Sequence, residues 1–253
     1  MSANALLASY GNPLIKVESA DFDGTNDYMV HTGNFTGLSN SKSGILSFWY
    51  RIDGGDGAAA RYILKNGTAL TGHFGIYQSN TNVMTIFGEN SGGTQILAIA
   101  ADEGNLASGT WLHFLMSWNL ATGVSNLYIN DVSHQAAPAL TNDTIDYAEG
   151  TDYGLGANNL GGLKINGCLA EFYFAPGQYL DFSIEENRRK FISAGIKPVN
   201  LGVDGSLPTT VAPIVYLHLD PAEAPADFAT NRGTGGNFSI TGALTAGSTS
   251  PSD

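Results

Sequence analysis

Ten short runs of β-branched and aromatic residues follow one another as far as residue 175, each 4–8 residues long and each closed by Gly, Asn, Asp or Ser. Runs of that length are too short for typical helices. Their regular punctuation is the signature of antiparallel strands joined by turns. The candidate strands are 14–18, 28–31, 45–52, 61–65, 73–78, 83–87, 95–100, 111–118, 125–130 and 168–175. Side chains alternate across a strand, so in ILSFWYRI the set Leu46, Phe48, Tyr50 and Ile52 shares one face. Ile45, Ser47, Trp49 and Arg51 share the other, which is expected to be partly wet. In WLHFLMSW, Leu112, Phe114, Met116 and Trp118 form an apolar face opposite a mixed one. Two such faces meeting make a two-sheet antiparallel β-sandwich, an all-β fold.

One segment departs from this pattern. In DFSIEENRRKFISAGIKP, Ser183 and Glu186 have capping-box spacing, acids precede Arg188, Arg189 and Lys190, and Gly195 with Pro198 ends the run. This predicts a helix over 184–193, pinned to the sandwich by Ile184, Phe191 and Ile192. Beyond it the text turns rich in Gly, Pro, Ala and Thr, with strand-like stretches at 214–219 and 238–242. The expected organisation is an N-terminal segment at 1–19, a sandwich at 20–194, and a C-terminal extension at 195–253. That extension is read as a docking arm, packed on the sandwich or on a neighbouring subunit, whose removal leaves the sandwich folded.

Eleven Lys and Arg against 23 Asp and Glu give a formal charge of −12, which disfavours nucleic acid and anionic membranes as partners. Cys168 is the single cysteine, so the fold stands on packing without an intrachain disulfide. The first 18 residues do not read as a secretory signal, and no stretch has the length of a membrane span. Synthesis in a cytosol is the expectation.

In order along the chain, ADFDGTNDYMVHTG (20–33), ILSFWYRI, GTWLHFLMSWNLATGVSNLYINDV (109–132) and INGCLAEFYF (165–174) resemble the bacterial and phage branch of the laminin-G-like, concanavalin A-like superfamily. The resemblance rests on Phe22, Asp23, Gly24 and Tyr28, then Trp111 and His113, then Tyr128, Asn130 and Asp131. It implies a concanavalin A-like jelly roll. The C-terminal stretch is similar to tails of phage and prophage structural proteins. This implies a virion component, a capsid decoration or head/tail surface subunit in several copies or a homo-oligomer, made in host cytoplasm and contacting capsid or tail proteins.

The same resemblance leaves two ligands open. Calcium would fall to Asp21, Asp23, Asp27 and Glu171, although Ala170 stands where the family has an acid in Gly167–Cys168–Leu169–Ala170–Glu171, and calcium wants several hard oxygens. A host-surface glycan is the alternative, with the glycine-rich loops 53–60, 88–94 and 150–162 as places to look and Tyr153 as the candidate contact. Ordinary turns are the stronger reading of those loops.

Catalysis is not expected. Retaining glycosidases set two carboxyls about 5–5.5 Å apart, which alternate acids on one strand supply, and no such run occurs among the eight glutamates. The five histidines are scattered without zinc-site spacing, and neither a nucleophile elbow nor a phosphate-binding loop is present. Trp111, Trp118 and His113 are read as packing residues.

Overall fold

The computed structural model describes residues 12–55, 57–67, 72–102, 106 and 108–253. Most of the N-terminal segment and part of the 53–60 loop therefore lie outside the described residues. In chain order the strands are β1 (Ala20–Asp23), β2 (Tyr28–His31), β3 (Ser43–Ile52), β4 (Arg61–Asn66), β5 (Phe74–Gln78), β6 (Met84–Glu89), β7 (Gln95–Ala100) and β8 (Trp111–Asn119). They continue as β9 (Val124–Ile129), β10 (Val132–Ser133), β11 (Ala139–Leu140), β12 (Tyr153–Leu155), β13 (Asn166–Pro176), β14 (Val215–Leu217), β15 (Ser239–Thr241) and β16 (Thr245–Ala246).

Two antiparallel sheets result. The first runs β10-β9-β8-β3-β13-β1-β16, with β14 also on β13; the second runs β11-β7-β6-β5-β4-β12-β2-β15. Between them lies one apolar core to which both contribute. Phe48 stacks on Phe114 with ring centres 5.1 Å apart, and Phe74 stacks on Phe174 at the same spacing. Two polar tips in the core satisfy each other: Trp118 Nε1 donates to Tyr147 Oη at 2.8 Å. Gly44 lies flat against Trp118, where a Cβ would sit 2.3 Å from the indole.

The sandwich, and most strand positions, match the periodicity. Asn130 and Asp131 carry φ of 49° and 67°, so they form the left-handed turn between β9 and β10 that this pair tolerates. Residues 14–18 differ: they form no strand, and only Leu14 makes an isolated bridge, to Val199. Strand β12 falls inside the stretch 150–162 that read as a loop, because three residues interrupted by glycine carry too little alternation to register.

The second face of β3 is a larger correction. It is buried, not wet: Ile45 joins Leu115, Tyr173, Phe182, Phe191 and Tyr216 in one apolar cluster, and Trp49 joins Val17, Ala170 and Ile192 in another. Residues beyond the sandwich's expected end at 194 supply part of that cover. The helix is correspondingly shorter than its capping pattern implied. Helix α1 is a single turn, Glu185–Arg188, whose N-cap is Ile184 with no side-chain cap. Asp181, instead of Ser183, organises the entry by accepting the Ser183 N–H at 2.9 Å. Phe191 and Ile192 pin the segment, whereas Ile184 is exposed.

The C-terminal segment packs on the sandwich as part of both sheets: β14 pairs with β13, β16 with β1, and β15 with β2. Leu219, Phe228, Phe238 and Leu244 enter the shared core. Among the described residues no helix is long and apolar enough to cross a membrane.

Candidate glycan-binding face

The second sheet buries one face of each strand and turns the other outward. Leu64, Ile76, Ile86 and Ile99 point into the core, so their neighbours on β4 to β7 face away from it. Registers place those neighbours in two rows across the strands. Tyr62 lies opposite Tyr77, Tyr77 opposite Thr85, and Thr85 opposite Ala100. In the second row Lys65 lies opposite Gly75, Gly75 opposite Phe87, and Phe87 opposite Ala98.

Three rings dominate this face, all half-buried. Tyr62 and Tyr77 have centroids 5.9 Å apart at an interplanar angle of 67°, and Tyr77 and Phe87 are 6.3 Å apart at 58°. Small residues keep the surface low beside them. A Cβ on Gly75 would sit 2.6 Å from the Phe87 ring and 2.9 Å from Lys65 Cδ, so glycine is needed for Phe87 to lie where it does.

Lys65 underlies the rings. Its ammonium stands 5.0 Å from the Phe87 centroid and 6.0 Å from that of Tyr62, a cation–π arrangement. It donates to the carbonyls of Asn66 at 2.8 Å and Gly72 at 2.9 Å. Burial pushes its pKa down to about 8, against the opposing pull of Glu149 and then Glu89. At the far side, the turn after β12 closes over the sheet: Gly154 abuts the backbone of Ala157 and Asn158, and the Leu163 carbonyl accepts the Tyr62 N–H at 3.0 Å. What remains open is the surface of β4 to β7.

The residues expected to bind ligands lie elsewhere. Tyr153 is wholly buried in β12, donates to the Tyr147 carbonyl at 2.6 Å and packs on Phe35, so it presents no surface to a glycan. The four acids considered for calcium are each engaged by the protein. Asp23 accepts the backbone N–H groups of Thr25, Asn26 and Asp27, which hold its carboxyl below the usual range. Asp27 accepts the Ala243 N–H at 2.8 Å, tying the start of β2 to the turn after β15.

Asp21 accepts from Cys168 Sγ at 3.4 Å and Thr245 Oγ1 at 3.3 Å. Among the described residues, Asp21, Asp53 and Cys168 form the one group of three with ligand spacing. Arg51 already supplies its positive charge, donating to both Asp53 oxygens at 2.7 and 2.8 Å. Burial raises the Cys168 pKa despite Arg51, keeping the thiol protonated. A thiol, two acids and a resident guanidinium do not fit a hard cation that wants six to eight oxygens.

Glu171 is buried in the first sheet. It sits with φ 50° at the bulge where β13 shifts register between Ala170 and Tyr173. Its carboxylate accepts from Tyr216 Oη at 3.1 Å and pairs with His218 Nδ1, whose Nε2 meets Asp220 at 2.9 Å. Arg232 then bridges Asp220 and Glu223. His113 is also a packing residue: its Nε2 lies 2.9 Å from Ser47 Oγ, and burial pushes its pKa down to about 3.

The Laminin G family of the concanavalin A-like lectin/glucanases superfamily matches residues 23–177, more than half of the chain. The chain belongs to that superfamily. Two solved structures share the superfamily fold along nearly the whole chain. A candidate carbohydrate-binding protein from Bacteroides ovatus superposes with a TM-score of 0.58 at 15% identity, over 92% of this chain. The match spans 60% of the Bacteroides chain. The heptameric SAP-like pentraxin of Limulus polyphemus gives 0.53 at 12% identity, covering 91% of this chain and 94% of its own. At such identities the likeness is one of fold. The sequence matches no curated protein.

Proposed function

We propose that the chain is a non-catalytic glycan-binding protein whose binding surface is the outer face of β4 to β7. The observation that carries this reading is the group of three half-buried rings, Tyr62 and Tyr77 in one row and Phe87 in the next, on a strand surface kept low by Gly75, Ala98 and Ala100. Sugar rings present apolar C–H faces that stack on aromatic side chains, and the two tyrosine hydroxyls with Thr85 Oγ1 supply polar partners at the edges. Membership of a superfamily that includes lectins supports the reading, as does the Bacteroides relative. The rings carry it, because one fold hosts many functions.

Calorimetric titration against a panel of oligosaccharides tests it. Replacing Tyr62 or Tyr77 by alanine is expected to weaken binding by about 1 kcal/mol each, roughly fivefold. Unchanged affinity in both variants contradicts the site, and polysaccharide turnover by the purified chain contradicts the non-catalytic part.

A virion setting, with capsid or tail partners and several copies per particle, is a separate proposal carried only by the sequence resemblance of the C-terminal stretch. Copurification with assembled particles tests it. Several copies would convert weak single-site contacts into firm attachment.

A further inference from the structure

Building on the proposed glycan-binding face, we infer that its ligand is a neutral glycan and that sialylated, uronic or sulfated chains are excluded. The argument is one of missing cations. Recognition of a carboxylate or sulfate takes a guanidinium or ammonium with donors to spare. Strands β2, β5, β6, β7, β11, β12 and β15 contain no Lys or Arg at all. The two cations of the sheet, both on β4, are turned to the protein's own backbone, Arg61 at the 54–55 loop and Lys65 beneath the rings. Arg61 Nη1 donates to the Gly54 carbonyl, and Lys65 Nζ donates to those of Asn66 and Gly72 while buried beneath the rings. Lys164, on the segment following β12, is likewise held by the Gly161 carbonyl, with its ammonium over Tyr28.

The one ammonium beneath the rings, that of Lys65, is offset by two acids. Glu89 follows Thr85 and Phe87 on the outward side of β6 and is half-exposed, and both Glu89 and Glu149 act on Lys65. A chain carrying −12 overall adds a long-range repulsion of the same sign. An anionic sugar would lose hydration on this face and find as counter-charge only the buried Lys65, already donating to two carbonyls and offset by acids. A neutral sugar needs only ring stacking and hydroxyl hydrogen bonds, which the face offers.

The test is titration of the full chain with matched neutral and acidic oligosaccharides, for example a glucose or galactose series against uronate and sialylated counterparts, at 0.05 and 0.5 M NaCl. Binding of neutral members, weakly dependent on salt, with acidic members at least tenfold weaker, supports the inference. Acidic members bound as tightly or more tightly, with affinity that falls steeply as salt rises, overturn it while leaving glycan binding intact. Binding of neither class overturns the proposed function itself. Thr85→Lys and, independently, Ala98→Lys place an ammonium among the rings. Each variant with an unaltered melting temperature is expected to narrow the neutral-to-acidic preference about tenfold, and a preference unmoved in both shows that missing cations are not its cause.

Discussion

At the scale of single residues, the binding face depends on what is absent as much as on what is present. Gly75 has nothing to contact a ligand with, yet any side chain there meets Phe87 and Lys65. Gly75→Val is expected to cost about 1–3 kcal/mol as overpacking on the strand surface and to tilt Phe87 out of its row. Denaturant unfolding and glycan titration read the two effects separately, and a fully stable variant with unchanged affinity would refute this role. None of this was visible in the sequence. Tyr62, Tyr77 and Phe87 lie on three different strands, and alternation alone shows which residues share a face of one strand, not which strands become neighbours. Tyr153 misled for the complementary reason: its glycine-rich surroundings suggest a loop, while the structure makes it the buried end of β12, hydrogen-bonded to the Tyr147 carbonyl.

At the scale of elements, strand positions follow the hydrophobic period, and the departures have physical causes. The single turn of α1 is shorter than its capping pattern because Asp181 organises the entry and the following residues turn to bury Phe191 and Ile192. The junction of β13 and β14 was hidden in the sequence because its partners, Glu171 and His218, are 47 residues apart. Both imidazole nitrogens of His218 face carboxylates, an arrangement that favours the doubly protonated ring. Burial alone would lower its pKa, but the hydrogen bond and charge of Glu171, then the bond of Asp220, outweigh burial and raise it above 6.5. Asp220 is lowered, first by its bond to His218.

Both shifts couple folding stability to pH through proton linkage. A raised histidine contributes stability that is complete below about pH 6.5 and is lost as pH rises through its folded value. A lowered aspartate contributes above about pH 3.9 and loses its contribution as pH falls through its own. The junction is therefore firmest in the interval between the two. Melting temperature measured against pH should decline on the alkaline side, and His218→Gln should flatten that decline. An identical alkaline limb in wild type and variant would show that His218 does not set it.

At the scale of the whole molecule, the sequence conveyed the two-sheet sandwich and its superfamily, and the segment after 194 adds strands to both sheets. Residues after 194 close the core and cover the outer face of the first sheet. Val215, Leu217, Leu219, Phe228, Phe238 and Leu244 all lie buried, and each large apolar side chain contributes about 1.5–3 kcal/mol when fully buried. Their loss rivals the ~5–15 kcal/mol that holds a typical domain together. A chain ending at residue 194 is expected to lose cooperative unfolding and resist proteases poorly. A cooperative melt near that of the full chain would mean that the C-terminal segment is the separable arm its composition suggested.

The central claim, that glycans lie on the outer face of β4 to β7, is tested most directly by mapping amide chemical shifts during titration with a neutral oligosaccharide. The account predicts saturable shifts concentrated at Tyr62, Tyr77, Thr85 and Phe87 and their strand neighbours, with the Glu171–His218 junction unmoved. Shifts centred on the rim loops or on the outer face of the first sheet would contradict it.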